Sequence, residues 1–322
     1  MTVIATFLAQ VCVAQTFSEK PKMLAPGVMK TIPAAPKFSE AFNITDVAEL
    51  AEFEWAKNIR FERLTPDEQN SLKHATWGLE FQFKSPRLIE VEFPAANGKM
   101  EKKVVMYLVY NVTNKKWTPE SRATVEKMQG SKDELSGLPP ILDSGSTIST
   151  KEVASGKDET IKGKFAIVPE DVSITPVLQF ILATPDNRAD IAAQQGYGDQ
   201  IIPLAIGPIV QREDPNRPFE TTVSMADRVL KPGETAWGIA MWTDFDPNIK
   251  DFSIFVSGLS NAYRWSNKEG AFKKGDVPGT GREMVRKTLK LNFWAPGDVN
   301  HLMEKEIRYG GNGAVDFEWV YR

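Results

Sequence analysis

The chain is predicted to be an all-β protein built as an antiparallel sandwich. Three observations lead there. From Thr76 onward the apolar residues fall mostly into short runs rich in β-branched and aromatic side chains, several of them alternating with period two. The 21 prolines and 22 glycines sit mostly between those runs, as turn punctuation rather than low complexity. The third is the stretch 102–114 (KKVVMYLVYNVTN), which is apolar on both faces of a strand. Val104, Met106, Leu108, Tyr110 and Val112 share one face, and Val105, Tyr107 and Val109 the other. A strand of that kind is buried on both sides and belongs at the centre of a sheet.

Taken from the start, residues 3–14 (VIATFLAQVCVA) form an uncharged apolar run, too short to span a bilayer as a helix. The run resembles the hydrophobic region of a secretory signal with Ala14 before the cleavage point, so residues 1–14 read as a partial signal peptide. No Lys or Arg precedes it, and a basic region is expected upstream of Met1. The competing readings are a buried N-terminal element and a lipidated Cys12, for which Gln10 and Val11 are poor neighbours. Cys12 is the sole cysteine. A mature chain without it has no disulfide, thiol nucleophile or thiolate metal site, which suits a bacterial periplasm or cell surface.

Residues 15–45 are polar and proline-punctuated, an extended leader. Thr45 or Asp46 can cap a short helix over residues 47–58, where Val47, Ala48, Leu50, Ala51, Phe53 and Trp55 form a broad apolar stripe. The sandwich domain is expected over residues 46–322. Leu79, Phe81 and Phe83 alternate with polar neighbours. Residues 88–93 form the next run, and Asn97-Gly98 then predicts an antiparallel hairpin into the central strand. Residues 118–164, rich in Gly, Ser, Lys, Asp and Glu, read as a long surface excursion. Strands are expected again at 165–168, 177–182, 201–206, 221–225, 235–242, 252–256, 287–294 and 315–321. In the last two, Leu289, Leu291 and Phe293, then Val315, Phe317 and Trp319, alternate with polar residues, as in strands covered on one face only. So many short strands point to two packed antiparallel sheets of the immunoglobulin-like type, with one short N-terminal helix.

Composition narrows the partners. At 42% hydrophobic and 25% charged residues the chain has the balance of a globular protein, and a net charge of −3 gives no footing for nucleic acid. No transmembrane span is expected in the mature chain.

Five stretches also carry a likeness: 87–114 (RLIEVEFPAANGKMEKKVVMYLVYNVTN), 236–248 (AWGIAMWTDFDPN), 258–265 (GLSNAYRW), 287–298 (KTLKLNFWAPGD) and 315–322 (VDFEWVYR). With them the chain resembles a family of exported, β-rich proteins from planctomycete-type bacteria. The likeness runs from about Asp46 to the end and is least over 118–164. It implies export and a β-rich fold, and it brings no assigned activity.

Candidate chemistry is sparse. Ile141-Leu142-Asp143-Ser144-Gly145-Ser146 resembles the active-site loop of aspartic proteases. That chemistry needs two carboxylates sharing one proton, so Asp143 would require a second copy of the chain in a homodimer. The simpler reading is an Asx turn in a Gly/Ser loop. Asp244, Asp246 and Asn248, with Asp251 near, place oxygen ligands at alternate positions, as short calcium loops do. Ile249 and Phe255 occupy the positions where an EF-hand needs glycine and a bidentate glutamate, so only a looser calcium loop fits; an ordinary strand-connecting turn competes with it. His301 and Glu304 stand at i, i+3 and could share a metal, but a site needs three or four ligands and no third is evident, so His74 and His301 read as solvated surface residues. Trp242, Tyr263 and Trp265, in an aromatic-rich C-terminal third, are candidates for stacking on a sugar ring, against the plainer reading that such residues fill the core. The expectation is a non-enzymatic exported protein of the periplasm or cell surface that binds an envelope protein or glycan, or serves as a structural part of the envelope. The aspartic-protease-like hydrolase is the alternative.

Overall fold

The structure is a computed structural model. It describes residues 21–25, 27–32, 75–123, 147–153, 164–184, 195–245, 249–267, 281–295, 307–311 and 315–322. The chain enters with β1 (Lys30–Ile32), β2 (Ala75–Trp77), β3 (Glu80–Phe83), β4 (Arg87–Pro94) and β5 (Met100–Thr113). β6 (Thr147–Val153), β7 (Lys164–Glu170), β8 (Gln179–Thr184) and β9 (Gln195–Gly198) follow, then helices α1 (Pro203–Glu213) and α2 (Thr222–Ala226). The remainder is β10 (Thr235–Trp242), β11 (Asp251–Ser257), β12 (Tyr263–Asn267), β13 (Arg282–Trp294), β14 (Arg308–Tyr309) and β15 (Phe317–Tyr321). The protein is an all-β sandwich of two antiparallel sheets, with a small third sheet of β2, β6 and β7.

The first sheet is organised around β5. One edge of β5 pairs with β10 over Met106–Thr113; the other pairs with β4 along its first half and β3 along its second. The β4–β5 hairpin turns at Asn97-Gly98, where Gly98 takes φ 75°, a left-handed conformation that glycine adopts without a Cβ clash. The Asn97 side chain accepts from the Lys99 amide at 2.9 Å and closes the turn.

From Val105 to Val112 β5 is buried on both faces, for two different reasons, while Val104, expected on the inward face with Met106, is exposed. Met106, Leu108, Tyr110 and Val112 point into the main core between the sheets. Val105, Tyr107 and Val109 point the other way and are covered by Ile202, Ala205 and Ile209 of the α1 segment. Residues 201–206 and 221–225, expected as strands, are instead helical or helix-flanking. Pro203 opens α1 at its N-terminus, where its missing N–H is no loss. Ile202, Ala205 and Ile209, three and four apart, then make one apolar helix face. At α2, Thr221 and Ser224 satisfy each other's backbone amides in a capping box.

The second sheet runs β12-β13-β11-β8-β9, with β14 and β15 on the free edge of β13. Its inner face contributes Phe180, Leu182, Ile254, Val256, Leu289, Leu291 and Phe293 to the main core. There the Tyr110 and Phe180 rings lie 4.7 Å apart, and Phe83 meets Phe293 edge-on at 6.0 Å. Such pairs add roughly 0.5–1.5 kcal/mol each beyond area burial.

Two segments depart from the sequence reading. Part of the expected leader is woven into the sandwich: β1 pairs with β3, Ile32 is fully buried, and Lys22 exchanges both backbone hydrogen bonds with Tyr309. A sheet edge recruits any extended backbone, so a three-residue strand leaves no periodicity to read. Within the expected surface excursion, residues 147–153 form β6 and bridge β2 to β7. Residues 1–14 and the helix expected at 47–58 lie outside the described residues.

Tyr110 has a further requirement. A Cβ on Gly238, its cross-strand neighbour, would collide with the end of the Tyr110 ring. Tyr110→Ala is therefore expected to lower the unfolding free energy by about 3–5 kcal/mol, and Gly238→Ala by roughly 1–3 kcal/mol, in denaturant titrations. A loss below about 1 kcal/mol for Tyr110→Ala would show that β5 does not depend on both of its covered faces.

Candidate functional site

The two outer faces of the sandwich differ. On the first sheet α1 closes the face. On the second, the strip that runs across β8, β11, β13 and β15 holds a depression of about 160 Å³, with Phe255 and Thr288 buried at its base. Strand alternation places its lining. Residues 180, 182, 254, 256, 289 and 291 face the core, so Gln179, Ile181, Phe255, Ser257 and Thr288 face outward. Arg286 and Arg322 complete the rim. Ile181 and Phe255 are cross-strand partners and make the apolar floor, while Ser257 pairs with Gln179 to make one polar wall.

The arginines are held in distinct ways. The Arg286 amide donates to the Arg322 carbonyl at 2.9 Å, and the Arg322 amide returns a bond to the Arg286 carbonyl at 3.2 Å. The Arg322 guanidinium lies 4.1 Å over the Phe255 ring, a cation–π contact. The Thr288 hydroxyl donates to the Arg286 carbonyl at 3.1 Å and stiffens the backbone beneath. Tyr263 of β12 is directly opposite Arg286 on the other edge of β13, so it belongs to the same sheet face and flanks the arginine pair.

A second cluster, of buried charge, lies under the end of α1. The Glu213 carboxylate is almost wholly buried. It accepts from Lys84 Nζ at 2.7 Å, Arg87 Nη1 at 2.8 Å and the Tyr107 hydroxyl at 2.8 Å. Burial alone would push its pKa up. The hydrogen bonds of Lys84 and Tyr107 and the charges of Lys84 and Arg87 outweigh that and hold it below its ordinary value. Burial, and then Glu213 itself, push the Tyr107 phenol far up. Beside it, Arg212 donates to the Leu88 carbonyl at 2.7 Å. A glutamate in the last turn opposes the helix dipole, so the two cations do more than pair with it: they lock the helix end to the β3–β4 corner.

The residues singled out in the sequence are scattered. Trp242 is fully buried in the main core, where its indole N–H donates to the Tyr197 carbonyl at 3.1 Å. It has no open ring face for a ligand, because its position in β10 alternates inward with Ala236 and Ala240. Tyr263 is half-buried beside the arginine pair. Asp244 is exposed, adopts φ 57°, and pairs with Lys103 at 3.1 Å. Asp251 opens β11, on the surface, with desolvation pushing its carboxyl up against the pull of Lys250. Among the described residues no three acidic, histidine or cysteine side chains gather as metal ligands. Asp143, Asp246, Asn248, His74, His301 and the side chain of Trp265 lie outside the described residues. Also among the described residues, no helix is long and apolar enough to cross a membrane.

No protein-family model matches the chain, and comparisons with curated proteins and with solved structures likewise give no match.

Glu213→Gln removes the charge that Lys84 and Arg87 face, and is expected to reduce stability by about 3 kcal/mol, since both cations keep some access to water. The pH dependence has a definite sign. A carboxyl whose folded pKa is depressed stabilises the fold above its unfolded value, here about 4.5. That contribution disappears as pH falls through the depressed folded value. Wild type should lose this increment on acidification and Glu213→Gln should not; parallel melting curves of the two from pH 7 to pH 3 would show that the cluster does not anchor α1.

Proposed function

We propose that the protein is a non-enzymatic, exported protein of the cell envelope, periplasmic or at the cell surface, that binds an envelope glycan or protein through the outer face of its second sheet. The observation that carries this reading is the asymmetry of the sandwich. One outer face is covered by α1, while the other holds a depression with an apolar floor of Ile181 and Phe255 and a polar rim. Apolar floors with a few convergent polar groups are the usual build of binding sites. The signal-like run at residues 3–14 and the likeness to exported β-rich proteins support the location.

Two experiments test the proposal. In the source cells the mature protein is expected outside the cytoplasm, starting near Gln15; recovery of an unprocessed cytoplasmic form overturns export. Purified full chain is expected to co-sediment with an envelope fraction. Ser257→Tyr, which fills the depression without touching its charges, should lower the retained amount about tenfold, the scale of one good contact at a binding centre. It should leave the thermal midpoint unmoved. Retention equal to wild type removes the depression from the binding role.

A further inference from the structure

We infer that Arg286 and Arg322 form a clamp for a single oxyanion, a carboxylate or a phosphate, carried by a ligand whose body extends out of the depression. The inference rests on the binding role proposed above and names the group that would be recognised.

Arg286 and Arg322 exchange both of their backbone hydrogen bonds, so they are directly opposite across β13 and the end of β15. Side chains so placed leave the sheet on the same face with Cβ atoms about 5 Å apart, and like charges there repel. The same two strands show the ordinary solution two same-face pairs along. Lys290 is directly opposite Glu318, also on the outer face, and their side chains pair at 2.7 Å. Among the described residues no side-chain carboxylate pairs with Arg286 or Arg322. Acids are not scarce, since the chain has 42 Asp and Glu against 39 Lys and Arg.

The geometry then favours an oxyanion over other ligands. Stacking on Phe255 orders the Arg322 guanidinium without consuming its N–H groups, which lie in its plane and stay directed sideways. Two guanidiniums at this separation can present parallel N–H donors to one carboxylate or phosphate, and such charge-assisted bonds are the strong ones. Gln179 and Ser257 add uncharged donors on the facing wall. At about 160 Å³ the depression is smaller than the roughly 300–1,000 Å³ of pockets that enclose a whole ligand, so it receives one group.

Calorimetric titration of the full chain with D-glucuronate, inorganic phosphate and glucose tests the clamp. Saturable binding of glucuronate or phosphate but not glucose is expected, and the tighter of the two anions names the source of the oxyanion. Arg286→Gln and Arg322→Gln should each weaken it about tenfold or more. Arg322→Lys, which keeps the charge but loses the stacked fork, should weaken it too. Lys290→Gln, on the same face but paired with Glu318, should leave affinity within about twofold. Raising salt should weaken binding, as screening of an exposed site requires. Failure of both anions to bind, or equal affinity in wild type and either glutamine variant, overturns the clamp. In that case envelope retention that survives in Arg286→Gln but falls in Ser257→Tyr leaves the broader binding role standing. If retention is unchanged in both variants, that role falls as well.

Discussion

The structure depends on the burial of β5 on both faces and both edges at once. One strand supplies Met106, Leu108, Tyr110 and Val112 to the core between the sheets and Val105, Tyr107 and Val109 to the core beneath α1. Every backbone group on such a strand needs a partner, because water cannot reach it. β10 supplies them along one edge, and β4 followed by β3 along the other. A one-residue slip would send each core side chain to the wrong layer, so two hydrophobic clusters fix the same register. Gly238 belongs to this constraint, since the ring of Tyr110 occupies the space that a side chain on β10 would need.

Covering the second face of β5 requires a helix that sits still, and that accounts for the charge buried beneath it. Ile202, Ala205 and Ile209 supply the apolar contact, but that contact is non-directional. The Glu213 carboxylate adds direction: its three donors come from the β3–β4 corner and from Tyr107 of β5 itself. Such clusters contribute more to placement than to net stability, because desolvation offsets most of the attraction. The polar chemistry on this side of the molecule is thus consumed in holding the fold.

On the opposite side the polar chemistry is left over. The outer face of the second sheet pairs Lys290 with Glu318 and Ser253 with Asn292, yet sets two arginines together with an aromatic ring and, among the described residues, no side-chain carboxylate paired with them. A rigid sheet holds those groups without help from a ligand, which lowers the entropy that binding would have to overcome. The contrast between an outer face closed by a helix and one that carries a depression with a charged rim gives the molecule its direction.

Residues 102–114 announced the central strand by themselves, because both periodic faces of that stretch are apolar and only a doubly covered strand tolerates that. Asn97-Gly98 announced the hairpin, since its backbone preference is local. The alternation of Leu289, Leu291 and Phe293 announced which face of β13 turns inward. Other features were legible only in part. Pro203 and the three- and four-residue spacing of Ile202, Ala205 and Ile209 mark a helix, but the continuous apolar run at 201–206 also reads as a strand, and tertiary cover decides between them. Trp242 could not be told from a surface tryptophan until the inward face of β10 was placed in the core between the two sheets. The arginine pair was not legible at all. Arg286 and Arg322 are far apart in the chain, and nothing local states that β15 closes against β13 in the register that makes them opposite. Local periodicity determines which side of a strand is buried; which residues face each other across strands is set by long-range pairing, and that only the folded chain decides.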